Sequence, residues 1–170
     1  MSDKNSATTV EEKISGKNLY SYQKGAIEEI FERFVNAPDD YHLLYQLPTG
    51  GGKTVIFSEI VRQYLKHHTK KVVVLTHRIE LCKQTSTMLT EFNVVNKVIN
   101  STANLDDQEE YSCFVAMVET LNNRLQEDKL DISDIGLVII DEAHYNSFTK
   151  LFKFFENAFI LGVTATPLSS

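Results

Sequence analysis

Between Tyr20 and Val35 the apolar residues Tyr22, Ala26, Ile27, Ile30, Phe31 and Phe34 recur at spacings of three and four. That spacing predicts one face of an amphipathic helix. Pro38-Asp39-Asp40 ends it. The pattern then alternates. Leu43 to Leu47 is a short apolar strand, and Val55 to Leu65 is helical in period. Lys71 to Thr76 carries Val72-Val73-Val74-Leu75, a strand apolar on both faces, and Ile79 to Phe92 follows as a helix. Val94 to Ile99 and Cys113 to Val118 are strands, with a short helix over Thr120 to Gln126. Leu137-Val138-Ile139-Ile140 is another buried strand, Phe148 to Phe155 a helix, and Phe159 to Val163 a last strand. Strands apolar on both faces, alternating with helices, belong to a parallel sheet covered on both sides. The expected fold is α/β, a three-layer sandwich around a mostly parallel central sheet. Ligands in such folds bind beyond the carboxyl ends of the strands.

Composition narrows this only a little. The 170 residues suit one domain, and 42% hydrophobic with 24% charged residues is ordinary for a globular protein. Residues 1–17 are polar and read as a flexible tail, leaving residues 18–170 as the domain. No apolar run approaches the roughly 20 residues of a membrane span, and no signal-type stretch opens the chain. Cys82 and Cys113 match no zinc spacing, so both are expected to be buried or half-buried structural thiols in a reducing, cytoplasmic setting. The net charge of −6 changes the picture more. A protein that grips nucleic acid by itself usually carries a basic stripe, so any such contact here should be local or shared with another part.

The chemistry concentrates in two places. Pro48-Thr49-Gly50-Gly51-Gly52-Lys53-Thr54 lies between a predicted strand and a predicted helix. Consecutive glycines let backbone amides turn inward as a nest for an anion, and the helix that follows adds the positive end of its dipole. Lys53 would then reach the β- and γ-phosphates of a nucleotide, and the Thr54 hydroxyl would hold Mg²⁺. The strict pattern has Gly at the first position, where this chain has Leu47. The second place is Asp141-Glu142, directly after the apolar run Leu137 to Ile140. A strand exit there puts Asp141 at the sheet's carboxyl edge, where it can bind the Mg²⁺ shell. Glu142 can orient and deprotonate an attacking water. A bare Asp-Glu pair is usually a solvated turn; the buried strand before it and the phosphate loop opposite give it a different meaning.

Asp141-Glu142-Ala143-His144 resembles the DEAH form of motif II in superfamily-two helicases, and the glycine loop resembles their motif I. Leu19-Tyr20-Ser21-Tyr22-Gln23 is similar to the adenine-recognising Gln motif, which implies that Gln23 reads the base and Tyr20 packs on it. Thr76-His77-Arg78-Ile79-Glu80-Leu81 resembles motif Ia, and Val115 to Leu121 the next backbone-contacting motif. These imply nucleic-acid contacts by Thr76, Arg78 and Thr120, the last at a helix start. Gly162-Val163-Thr164-Ala165-Thr166-Pro167 resembles motif III, implying that Thr164 and Thr166, with His144, couple the nucleotide site to the nucleic-acid site. The matches run in order along nearly all of the chain after Asn18 and look most like the restriction-subunit and RadD-like branch, which acts mainly on DNA.

The resemblance implies a RecA-like, P-loop ATP-binding and hydrolysing motor domain, with ATP and Mg²⁺ as cofactors and nucleic acid, DNA before RNA, as partner. It also implies a second RecA-like domain carrying an arginine finger. No arginine lies beyond Arg124, so this chain alone is expected to bind ATP weakly and hydrolyse it poorly. Two other classes share the loop: a nucleotide-dependent switch or interaction module without unwinding, and a small-molecule kinase. Intact Lys53, Thr54, Asp141 and Glu142 argue against the first, and the motif III resemblance against the second.

Overall fold

In the computed structural model, the residues described are 19–38, 41–47, 52–127, 130–141 and 153–164. Among the described residues four α-helices and six strands follow one another: α1 Ser21–Asn36, β1 His42–Gln46, α2 Lys53–His67, β2 Lys71–Thr76, α3 Ile79–Glu91, β3 Lys97–Ile99, β4 Cys113–Met117, α4 Val118–Gln126, β5 Ile135–Asp141 and β6 Phe159–Thr164, with a 3-10 turn at Gln108–Glu110 before β4. All pairings are parallel, in the order β1-β6-β5-β2-β4-β3. No described helix is long and apolar enough to cross a membrane.

The period of two along each strand builds two cores. Val72, Val74, Val115 and Ile139 face α1, α2 and α3, where Ile27, Ile30, Ile56, Phe57, Ile60 and Leu89 complete the layer. Val73, Leu75, Phe114, Val138 and Ile140 point the other way, onto Leu121 and Leu125 of α4. Hence the unbroken apolar runs: these strands are buried from both sides, and each fully buried branched or aromatic side chain contributes about 1.5–3 kcal/mol. Cys82 and Cys113 are both free and buried. Burial pushes the Cys113 thiol up to about 12 and raises Cys82 as well, which suits packing rather than reactivity.

The structure moves several expected boundaries, each for a visible reason. On α1 the buried set is Gln23, Ala26, Ile27 and Ile30, and Tyr22 stands exposed, one position off the expected apolar face. The strand expected from Val94 begins only at Lys97. Val94 is taken up in stopping α3: its N–H donates to the Leu89 carbonyl at 2.8 Å and Asn93 N–H to that of Thr90 at 3.0 Å. Asn93 sits at φ 62°, the left-handed turn that closes a helix in this way. Asn96 is then held by Ser86 Oγ, which donates to its Oδ1 at 2.6 Å.

Helix α4 starts at Val118, two residues earlier than expected, with Met117 as its N-cap. Val118 and Leu121 both face the core, so the chain turns helical as soon as β4 ends. Thr120 therefore lies inside the first turn rather than at the helix start. At the other end of the expected helix from Phe148, Lys153 to Phe155 are not helical, and the rest of that segment lies outside the described residues. Gly136, near the start of β5, has no room for a side chain. A Cβ there would come within 2.2 Å of the Tyr64 hydroxyl and 2.8 Å of Lys70 Cβ.

Candidate nucleotide site

The sheet order brings the separated motifs to one edge. β6 lies between β1 and β5, pairing Gln46 with Thr164 on one side and Val163 with Asp141 on the other. The ladder runs one step past β1, where Leu47 N–H donates to the Thr164 carbonyl at 2.8 Å. The strand leading into the glycine loop is thus tied to the strand of Thr164, and that strand to the one ending in Asp141.

Across this edge Lys53 Nζ lies 2.8 Å from Asp141 Oδ1, with side chains 12% and 3% exposed. Lys53 is the first residue of α2, whose N-cap is Gly52. The first turn of α2 holds no acidic residue, so its own sequence does not neutralise the positive end of the helix. The Lys53–Asp141 approach is a charge contact without an aligned hydrogen bond. Oδ1 is buried and receives no directed donor among the described residues. A buried carboxylate oxygen with an unused acceptor direction suits a divalent cation. Thr54, half-buried and next along α2, stands beside it in sequence as the hydroxyl ligand such a site would use. The residues present therefore fit Mg²⁺.

Gln23 is buried at 3% and its Oε1 accepts the Tyr20 N–H at 2.8 Å, closing the first turn of α1. Its Nε2 faces Gly52, since a Cβ on Gly52 would sit 2.8 Å from it. Tyr20 is 69% exposed. Gln23 is thus brought to Gly52, while Tyr20 stays exposed. Pro48, Thr49, Gly50, Gly51, Glu142, His144 and Thr166 lie outside the described residues; Thr164 is buried at the end of β6.

The expected nucleic-acid contacts divide. Thr76 is fully buried: its hydroxyl donates to the Arg78 carbonyl at 3.2 Å and lies 3.0 Å from Cys82 Sγ, shaping the turn into α3. Arg78, the N-cap of α3, is exposed, and Thr120 is half-buried. Arg78 and Thr120 both follow strands at the carboxyl edge, on neighbouring β2 and β4. A groove of about 790 Å³ between α1 and α2, beside Glu28, Arg62 and His67, includes neither Lys53 nor Asp141 in its walls.

Residues 16–169 match the family described as the Type III restriction enzyme, res subunit. The chain belongs to that family. The chain is 38% identical over 120 residues to a Saccharomyces cerevisiae protein named "Putative ATP-dependent helicase IRC3", covering 65% of this chain and 17% of that protein. It is 28% identical over 148 residues to ATP-dependent DNA helicase MPH1 of Scheffersomyces stipitis, covering 76% of this chain and 14% of that protein. The chain spans between 12% and 18% of the length of the curated relatives it matches. The crystal structure of the UvsW helicase from bacteriophage T4 superposes with a TM-score of 0.68 at 23% identity, over 88% of this chain and 54% of that one. That likeness shows the fold, that of a RecA-like α/β domain.

The Tyr22 hydroxyl also meets the space beside Gly52, a contact its helical spacing, which fitted a core position, did not predict.

Proposed function

We propose that this domain binds and hydrolyses ATP to drive movement along nucleic acid, DNA in preference to RNA, in a cytoplasmic protein. The observation that carries the reading is the pairing of Lys53 with Asp141 at the carboxyl edge. The two groups that phosphate-loop chemistry needs, an ammonium and a buried carboxylate, come from distant parts of the chain and meet at 2.8 Å. A nucleotide entering this edge takes the Lys53 ammonium onto its β- and γ-phosphates, and the amides at the start of α2 complete the cradle. Thr54 and Asp141 would hold Mg²⁺, which would neutralise phosphate charge. Glu142, next after Asp141, accepts a proton from the attacking water. Pro48, Thr49, Gly50, Gly51 and Gly52 wrap the phosphates, and Gln23 and Tyr20 take the base.

Thr164, Thr166 and His144 connect this chemistry to the track. The track includes Arg78 and Thr120, with Thr76 setting the turn that presents Arg78. The preference for DNA draws on relatives named as DNA helicases, MPH1 and Hel308 among them, and on a structural neighbour solved with a DNA substrate mimic.

A second RecA-like domain bearing an arginine finger supplies the remainder. Such a finger is worth about 10³–10⁵ in turnover, so the 170-residue chain alone should turn ATP over slower than the intact protein by a factor of that order. Side-by-side steady-state hydrolysis by the two would measure it. Fast turnover by the isolated chain, lost in Lys53→Ala, would contradict the two-domain requirement.

A further inference from the structure

The start of α1 and the start of α2 meet at one residue. A Cβ built on Gly52 would lie 2.5 Å from the Tyr22 hydroxyl oxygen and 2.8 Å from Gln23 Nε2, with Tyr22 Cζ at 3.5 Å. The backbone of Gly52, φ −115° and ψ −3°, is open to other residue types. A side chain at position 52 would have to displace the ends of Tyr22 and Gln23. The base of this contact is fixed, since Gln23 is buried and tied back to Tyr20 N–H. The rings of Tyr20 and Tyr22 lie parallel, centroids 6.1 Å apart and planes 7° apart, with Tyr20 69% exposed and Tyr22 43%. Tyr22 is thus the inner ring of the pair, with its hydroxyl end against Gly52.

We propose that Tyr22 is a positioning residue of the phosphate cradle. Its ring props Gly52, and through Gly52 sets the first amides of α2 and the root of Lys53 where the phosphates are received. The proposal rests on the nucleotide reading above. It separates two aromatic roles that lie two residues apart: Tyr20 is open to the base, whereas Tyr22 acts on the phosphates without touching them. An anion nest works by the direction of its N–H groups, and a displacement of about 1 Å in such a site can cost on the order of 10²-fold.

The test compares ATP with inorganic tripolyphosphate, which carries the phosphates and no base. Affinities of the 170-residue chain for both are measured in Mg²⁺ buffer for the unaltered chain, Tyr22→Ala, Tyr22→Phe and Tyr20→Ala, with the melting temperature of each unliganded protein. Tyr22→Ala should weaken both ligands by the same factor, about tenfold or more, without lowering the unliganded melting temperature. Tyr22→Phe keeps the ring and should recover most of the affinity for both. Tyr20→Ala should weaken ATP and leave tripolyphosphate unchanged.

A Tyr22→Ala variant that loses ATP alone would make Tyr22 a base contact and overturn the proposal; so would one that loses neither ligand. A Tyr22→Phe variant as weak as Tyr22→Ala would assign the effect to the hydroxyl, as a prop of Gly52 or as a ligand, and would overturn the role given to the ring. Should the unaltered chain bind neither ligand, the nucleotide reading itself fails and the proposal falls with it.

Discussion

Replacing Lys53 with Ala is expected to lower ATP turnover of the intact protein by about 10²–10³-fold, the usual loss when one group that stabilises developing phosphate charge is removed. The same substitution should be felt in the unliganded domain, which distinguishes Lys53 from a surface lysine. Its ammonium lies 2.8 Å from Asp141 Oδ1, and the carboxylate is 3% exposed. Removing one partner leaves the other charge buried without compensation, a more costly change than removing both. A double-mutant cycle of Lys53→Ala and Asp141→Asn, followed by urea denaturation, should give a coupling of about 0.5–3 kcal/mol. Lys53→Arg should not restore turnover, because a planar fork does not replace a compact point charge on phosphate. Turnover unchanged in Lys53→Ala would remove the cation from the mechanism.

The second large effect is expected at Glu142. Glu142→Gln keeps the shape of the side chain and removes its basicity. If Glu142 takes the proton from water, turnover should fall by about 10²–10⁴-fold while ATP affinity stays near that of the unaltered protein. The pattern is diagnostic: Lys53→Ala weakens both binding and chemistry, Glu142→Gln the chemistry alone. Equal hydrolysis by the intact protein and its Glu142→Gln variant would favour a nucleotide-dependent switch over a motor.

Much of this was written in the chain at short range. Four consecutive apolar residues, Val72 to Leu75 and again Leu137 to Ile140, placed strands buried on both faces, because runs so short and so rich in β-branched residues favour strand over helix. The glycine loop and the acidic pair carried their chemistry in their residue types. What stayed hidden depends on contacts between distant segments. The position of β6 between the strands of the loop and of Asp141 is a matter of sheet order, which local periodicity does not encode. Thr76 reads as an accessible hydroxyl beside an arginine, but Cys82, six residues on, and the Arg78 carbonyl draw it inside. Val94 reads as strand because it is apolar; its amide was already committed to closing α3. Tyr22 and Gln23 trade places between face and core because Gln23, though polar, satisfies its amide oxygen on the backbone of its own helix turn.

The central claim is that the Lys53–Asp141 edge is one half of an engine whose cycle answers to nucleic acid. Steady-state ATP hydrolysis by the intact protein, measured without nucleic acid and then with single-stranded DNA, double-stranded DNA and RNA at matched salt, tests it most directly. Turnover should rise on adding DNA, more than on adding RNA. Turnover indifferent to every nucleic acid would contradict it.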